Sequence, residues 1–146
     1  MSIRTAIDRT GELINELLTM WEASVRATHS FLTDDDIISI KPYAEQGFIG
    51  ISNLVYTVDE TGSISGFMGI ENGKIEMLFI HPPHRGTGLG KNFIHHALDV
   101  YKVQFVDVNE QNSQAVGFYR HMGFEIVSRS PLDDAGRPFP ILHMKK

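Results

Sequence analysis

Apolar residues recur at three- and four-residue steps along residues 8–28, at Leu13, Ile14, Leu17, Leu18, Trp21 and Val25. That is the period of an amphipathic helix, so one face of the segment is expected to be buried. Thr33 followed by Asp34, Asp35 and Asp36 has the form of an N-cap with carboxylates in the first turn, set against the positive end of a helix dipole. A second helix is expected to start there. Beyond Gly47 and Gly50 the texture changes: residues 53–58, 64–70 and 75–80 are β-rich runs, separated by turn signals at Asp59-Glu60-Thr61-Gly62 and Glu71-Asn72-Gly73. Together they predict a meander of antiparallel strands. Helical spacing returns over residues 88–101, with Leu89, Phe93, Ala97, Leu98 and Tyr101 on an inner face. A short strand over 104–108, a helix capped by Asn112 and closed by Gly123 in the left-handed conformation, and strands over 124–129 and 139–145 complete the pattern. A meander followed by alternating helices and strands predicts a mixed α/β (α+β) fold, a mostly antiparallel central sheet flanked by helices.

Length changes this picture only by limiting it: 146 residues with 42% hydrophobic content fit one domain with one core. Charge excludes a partner. Lys and Arg total 13 against 18 Asp and Glu, a formal net charge of -5, which lacks the electrostatic footprint of a nucleic-acid binder. There is no cysteine, so disulfides, thiolate zinc sites and a cysteine nucleophile are ruled out together. No apolar run approaches a membrane span, and the first residues, Met1-Ser2-Ile3-Arg4-Thr5, have no apolar signal core. A cytoplasmic protein without membrane partners is therefore expected. His81, His84, His95, His96, His121 and His143 lack the spacing of a ligand set, and no metal is expected.

Candidate chemistry concentrates where an apolar strand, Leu78-Phe79-Ile80, runs through His81-Pro82-Pro83-His84 into Arg85-Gly86-Thr87-Gly88-Leu89-Gly90-Lys91. Glycines at a helix start let backbone N–H groups close on phosphate oxygens, and Arg85 and Lys91 add positive charge. A P-loop would need glycine in place of Arg85 and Ser or Thr in place of Asn92. A dinucleotide fingerprint beginning at Gly86 would need its third glycine at Lys91 and an acidic residue about twenty positions on. Neither spacing fits. Arg-x-x-Gly-x-Gly does, at Arg85, Gly88 and Gly90, and it resembles the pyrophosphate loop of the GCN5-related N-acetyltransferases. Downstream, the segment from Asn109 through Asn112, Ala115, Phe118 and Tyr119 to Gly123 and Phe124 is similar to a second motif of that family. Residues 21–32 and 136–140 look similar to one bacterial branch of it.

The resemblance implies an enzyme that moves the acetyl group of acetyl-CoA directly to an amine in a ternary complex, with no covalent enzyme intermediate. It implies that residues 75–80 and 104–108 splay and hold the pantetheine arm between them. Main-chain groups of Leu78, Phe79 and Ile80 would pair with its amides, Arg85 through Lys91 (Gly86, Thr87, Gly88, Leu89 and Gly90 between them) would hold the pyrophosphate, and Asn109, Asn112 and Phe118 would add contacts. Asn112 is equally a helix cap. Tyr119 stands at the family's general-acid position, where a hydroxyl of reference pKa about 10 can protonate a thiol of about 8.5. Glu76 is a candidate base or water-holder, with a solvated strand residue as the competing reading.

On the acceptor side, the first two helices usually wall the amine site in this fold, which makes Trp21, His29 and Phe31 candidate contacts. Trp21 also falls on the apolar stripe, and His29 also fits an ordinary hydrogen-bonded histidine at a bend. Asp133-Asp134-Ala135-Gly136 reads as a turn. The acceptor is a small-molecule or peptide amine, and a homodimer is expected by analogy with the fold. A non-catalytic acyl-CoA binding module of the same fold is the alternative function.

Overall fold

In the computed structural model, residues 2–146 are described. They form β1 (Arg4–Thr5), α1 (Gly11–Thr28), α2 (Asp34–Gly50), β2 (Asn53–Val58), β3 (Ile64–Glu71), β4 (Lys74–Ile80), a 3-10 turn (Pro82–His84), α3 (Leu89–Val100), β5 (Phe105–Asn109), α4 (Ser113–His121), β6 (Glu125–Ser130) and β7 (Ile141–Lys145). One sheet runs β1-β2-β3-β4-β5-β7-β6. Only the β4–β5 pair is parallel.

Local chemistry accounts for the element ends. The first helix begins at Gly11 rather than at residue 8, because the Thr10 hydroxyl accepts from the Leu13 N–H at 3.1 Å and fixes the start there. Thr33 and Asp36 form a full capping box for α2, each side chain accepting from the other's backbone N–H. Gly123 has φ +96 and closes α4 as expected. Two elements were not foreseen, the two-residue β1 and the 3-10 turn after β4. The last strand starts at Ile141 instead of residue 139, since Pro140 has no N–H to give to a ladder. Asp133 makes the expected turn, its carboxylate accepting from the N–H groups of Ala135 and Arg137.

The two faces of the sheet carry separate cores. Leu17, Leu18, Trp21, Val25, Ile37 and Phe48 of α1 and α2 pack on Leu54 and Phe67. Leu89, Phe93, Ile94 and Ala97 of α3 and Tyr119 of α4 pack on Met68, Ile75, Val106 and Met144. Adjacent residues such as Phe67 and Met68 serve opposite faces, as strand alternation requires. Burying each large side chain contributes roughly 1.5–3 kcal/mol.

The feature that positions the site is a β-bulge. Ile75 pairs with Ile70 and Met77 with Gly69, leaving Glu76 as the extra residue in β4. A Cβ on Gly69 would lie 2.8 Å from Met77 Cγ and 2.7 Å from Ile51 Cδ1, so any larger residue opposite the bulge would force both side chains to shift. Pairing of β4 with β5 covers Lys74↔Phe105 and Ile75↔Val106 and stops at the bulge. Beyond it the strands part.

Candidate active site

Two cavities lie along the parted strands. The larger, about 490 Å³, is bordered by the upper half of β4, by Asp107, Val108 and Asn109 of β5, by Tyr43 of α2 and by the Asp133–Arg137 turn. The smaller, about 230 Å³, is bordered by Arg85, Gly86 and Gly90 of the glycine loop and by Phe118 of α4. Six residues border both: His29, Leu78, Phe79, Asn112, Ala115 and Tyr119. A reacting pair divided between the two cavities would meet at these six.

The glycine loop is built as an anion cradle. Gly86 and Gly88 have φ of +76 and +86, a backbone region that residues with a Cβ rarely adopt. The first intrahelical bond of α3 is Asn92 N–H to Gly88 O at 3.1 Å, so the N–H groups of Leu89, Gly90 and Lys91 have no partner within the helix. The Leu89 side chain is committed to the core, which leaves it only main-chain chemistry. Phe118 packs beside Gly90, where a Cβ would meet Phe118 Cζ in ordinary contact at 3.4 Å. Arg85 Nη2 donates to Gln114 Oε1 and ties the loop to α4. Thr87 donates to His84 O at 2.6 Å, and Lys91 is exposed.

Tyr119 is 6% exposed, with its ring held edge-on between Phe118 at 5.3 Å and Phe124 at 5.8 Å. Burial pushes its phenol above the ordinary value, so it stays protonated. Asn112 caps α4, its Oδ1 accepting from Ala115 N–H at 3.2 Å. Glu76 sits on the bulge with Oε1 3.1 Å from Lys74 Nζ, and the same ammonium lies 2.9 Å from Asp107 Oδ2. Burial alone would lower the Lys74 ammonium, but its hydrogen bonds to Asp107 and Glu76 outweigh that and hold it above its usual value. Asp107 Oδ1 also meets His143 Nδ1 at 2.7 Å, and His143 Nε2 meets Ser130 Oγ at 2.6 Å. This chain of contacts braces β4, β5, β7 and β6. Sequence reasoning missed Lys74 and Asp107. The signal for Asp107 was a lone carboxylate between Val106 and Val108 on a short strand.

Of the acceptor candidates, His29 borders both cavities. Trp21 does not: at 4% exposure it belongs to the α1/α2 core, the competing reading that its place on the apolar stripe supported. Phe31 packs on His29 at 5.3 Å and on Phe139 at 6.0 Å, and borders neither cavity. Arg137 lies over the Tyr43 ring at 5.7 Å, linking the 131–140 loop to α2 beside the larger cavity.

Burial drives the His29 pKa down from 6.5 to about 4. Unfolded histidine takes up a proton near pH 6.5 that folded His29 refuses until about pH 4, so this group's contribution is complete at neutral pH and lost as pH falls between those values. We expect the native protein to lose about 1–2 kcal/mol of stability between pH 7 and pH 5 through this group. Denaturant midpoints at both pH values should show a smaller loss in His29→Phe.

Among the described residues, the one buried side-chain polar atom without a partner is Asn109 Oδ1, in a residue that borders the larger cavity. A buried acceptor left unpaired costs about 1–3 kcal/mol, so this atom is suited to a donor brought by a ligand. Parted strands, partnerless N–H groups at the α3 start and this amide oxygen together fit a long amide-bearing phosphorylated ligand such as acetyl-CoA. Asn109→Leu is expected to leave the free protein as stable or up to about 1 kcal/mol more stable. It should weaken acetyl-CoA binding about tenfold, as melting and calorimetry would register. No group of three or more His, Asp or Glu among the described residues is arranged to hold a metal. No helix among them is long and apolar enough to cross a membrane.

A family model described as acetyltransferase (GNAT) domain matches residues 36–146. The chain belongs to the GNAT acetyltransferases. It is 38% identical to the peptidyl-lysine N-acetyltransferase YjaB of Escherichia coli K12, over 99% of this chain and 95% of that one. The solution structure of apo-form YjaB superposes with a TM-score of 0.87 at 36% identity, covering 99% and 95% of the two chains. The PaiA N-acetyltransferase of Thermoplasma acidophilum, solved in complex with coenzyme A, shares the fold with a TM-score of 0.71 at 19% identity over the whole of both chains. This GNAT member is thus an acetyl-CoA-dependent N-acetyltransferase, and the expected sheet architecture is the one observed.

Proposed function

We propose that this acetyltransferase acts as one cytoplasmic domain on the ε-amine of lysine side chains in peptides or proteins. The observation that carries the reading is the close relative's activity on peptidyl-lysine. The larger cavity supports it: Glu76, Asp107, Asp133 and Asp134 border it against Arg137 and the Lys74 ammonium that bridges the first two, a remaining excess of carboxylate that attracts a cationic side chain.

The donor supplies a thioester whose carbonyl carbon accepts an amine and whose sulfur departs. The chain's own residues do the rest. Main-chain groups of Leu78, Phe79 and Ile80 along the parted edge of β4 bind the pantetheine amides, and an N–H there polarises the carbonyl. The glycine loop from Arg85 to Lys91 and the α3 start hold the pyrophosphate. Asn109, Asn112 and Phe118 orient the arm. As the new carbon–nitrogen bond forms and the carbon–sulfur bond breaks, the sulfur's electron pair takes the Tyr119 proton, and the proton shed by the new amide nitrogen restores the phenol through water. Glu76, fixed by Lys74, holds the ammonium or a water that carries its proton away. A homodimer through β6 completes the proposal, supported by an edge strand that exposes Ile126 and Val127; sedimentation would read it.

The test is thiol release with acetyl-CoA and a pool of lysine peptides, followed by mass spectrometry of the products. Acetylation at ε-amines is expected. Release only with polyamines or free amino acids would overturn the lysine reading, and binding without release would favour a non-catalytic acyl-CoA module.

A further inference from the structure

His29 holds a tautomer that its neighbours dictate. Thr28 Oγ1 lies 2.8 Å from Ser24 O and 2.7 Å from His29 Nδ1. A carbonyl can only accept, so the single Thr28 hydroxyl proton goes to Ser24, and Oγ1 must then accept from His29 Nδ1–H. The lone pair of the ring therefore resides on Nε2. The residue borders both cavities, as Tyr119 does, and its ring is flanked by Phe31 at 5.3 Å and Phe79 at 6.5 Å. At the meeting point Asn112 Oδ1 is engaged by the α4 cap, and the Glu76 carboxylate, which borders the larger cavity alone, is engaged by Lys74.

We propose that Nε2 of His29 accepts a hydrogen bond from the incoming amine and turns the nitrogen lone pair towards the thioester carbon. This rests on the acetyl transfer argued above but not on lysine as the acceptor. The contact selects the reactive form. A neutral amine keeps one lone pair for attack while an N–H is held by the imidazole, and the aromatic flanks exclude water that would compete for Nε2. The Thr28 hydroxyl acts as a positioning group, since it sets which ring nitrogen is free.

The test compares His29→Phe with His29→Gln, whose amide oxygen reaches about as far as Nε2. Rates are read at subsaturating concentration of a pool of lysine peptides with free N-termini, alongside the KM for acetyl-CoA. His29→Phe should lower the subsaturating rate about fiftyfold, His29→Gln should recover it to within about fivefold, and the acetyl-CoA KM should stay within about twofold in both. A His29→Phe rate within about threefold of native, or a His29→Gln variant as slow as His29→Phe, would overturn the proposal. So would imidazole 15N shifts of the free protein that put the proton on Nε2, a readout independent of activity. Mass spectrometry separates the two readings, because acetylation confined to peptide α-amines would sink the lysine reading and leave the His29 comparison standing.

Discussion

Tyr119→Phe is expected to lower kcat about a hundredfold while the dissociation constant of acetyl-CoA stays within about twofold. The substitution removes one oxygen and keeps the ring between Phe118 and Phe124, so packing is preserved. Burial raises the phenol, which keeps its proton in place until the sulfur departs. Ordinary values would make transfer from tyrosine to thiolate uphill. A thiolate forming beside the same buried ring would be destabilised by desolvation as well, which offsets part of that gap. Single-turnover rates with pre-bound acetyl-CoA would check the expectation, and an unchanged rate would remove Tyr119 from the chemistry.

Gly88→Val should raise the acetyl-CoA dissociation constant about thirtyfold or more. Nothing lies within 4 Å of a Cβ built at Gly88, so crowding by the protein is not the cause. The cause is φ +86 at the N-cap of α3. A β-branched residue pays roughly 1–2 kcal/mol or more to remain there and would instead swing the loop, turning the α3 N–H groups off the phosphates. Asparagine tolerates this region, so Gly88→Asn should stay within about fivefold by calorimetry. Equal losses in both variants would mean that the ligand itself occupies the Cβ position.

Much of this was legible in the chain because it is local. The apolar stripe of α1, the Thr33–Asp36 box, the left-handed Gly123 and the glycines before α3 each depend on residues within a few positions, and sequence displays that range directly. The bulge at Glu76 was harder. Its sign was Gly69, a strand glycine whose crowding by Ile51 and Met77 appears only when three elements are brought together. Lys74 with Asp107, 33 positions apart, and His143 with Asp107, 36 apart, have no mark in spacing at all. Trp21 shows the converse: the stripe that placed it in the core was the stronger signal, and fold analogy pointed elsewhere. For His29, the place near a bend was legible, while its tautomer is set by the adjacent Thr28 and by Ser24 one turn before Thr28.

The short parallel seam between β4 and β5 has a mechanical consequence. Two residue pairs are the direct strand contact between the block β1-β2-β3-β4 and the block β5-β7-β6. In the free protein the blocks are otherwise joined by the Lys74–Asp107 ion pair, by backbone bonds from Gln104 and Phe105 to Gly73 O, and by α3 and α4, all but the helices gathered at the closed end, so the parted end of the seam is where the sheet breathes most readily. An arm laid between the parted strands sutures it. A donor bound as proposed would work as a structural strand, and slowed amide hydrogen exchange on both lips of the seam would mark its arrival before any acetyl group has moved.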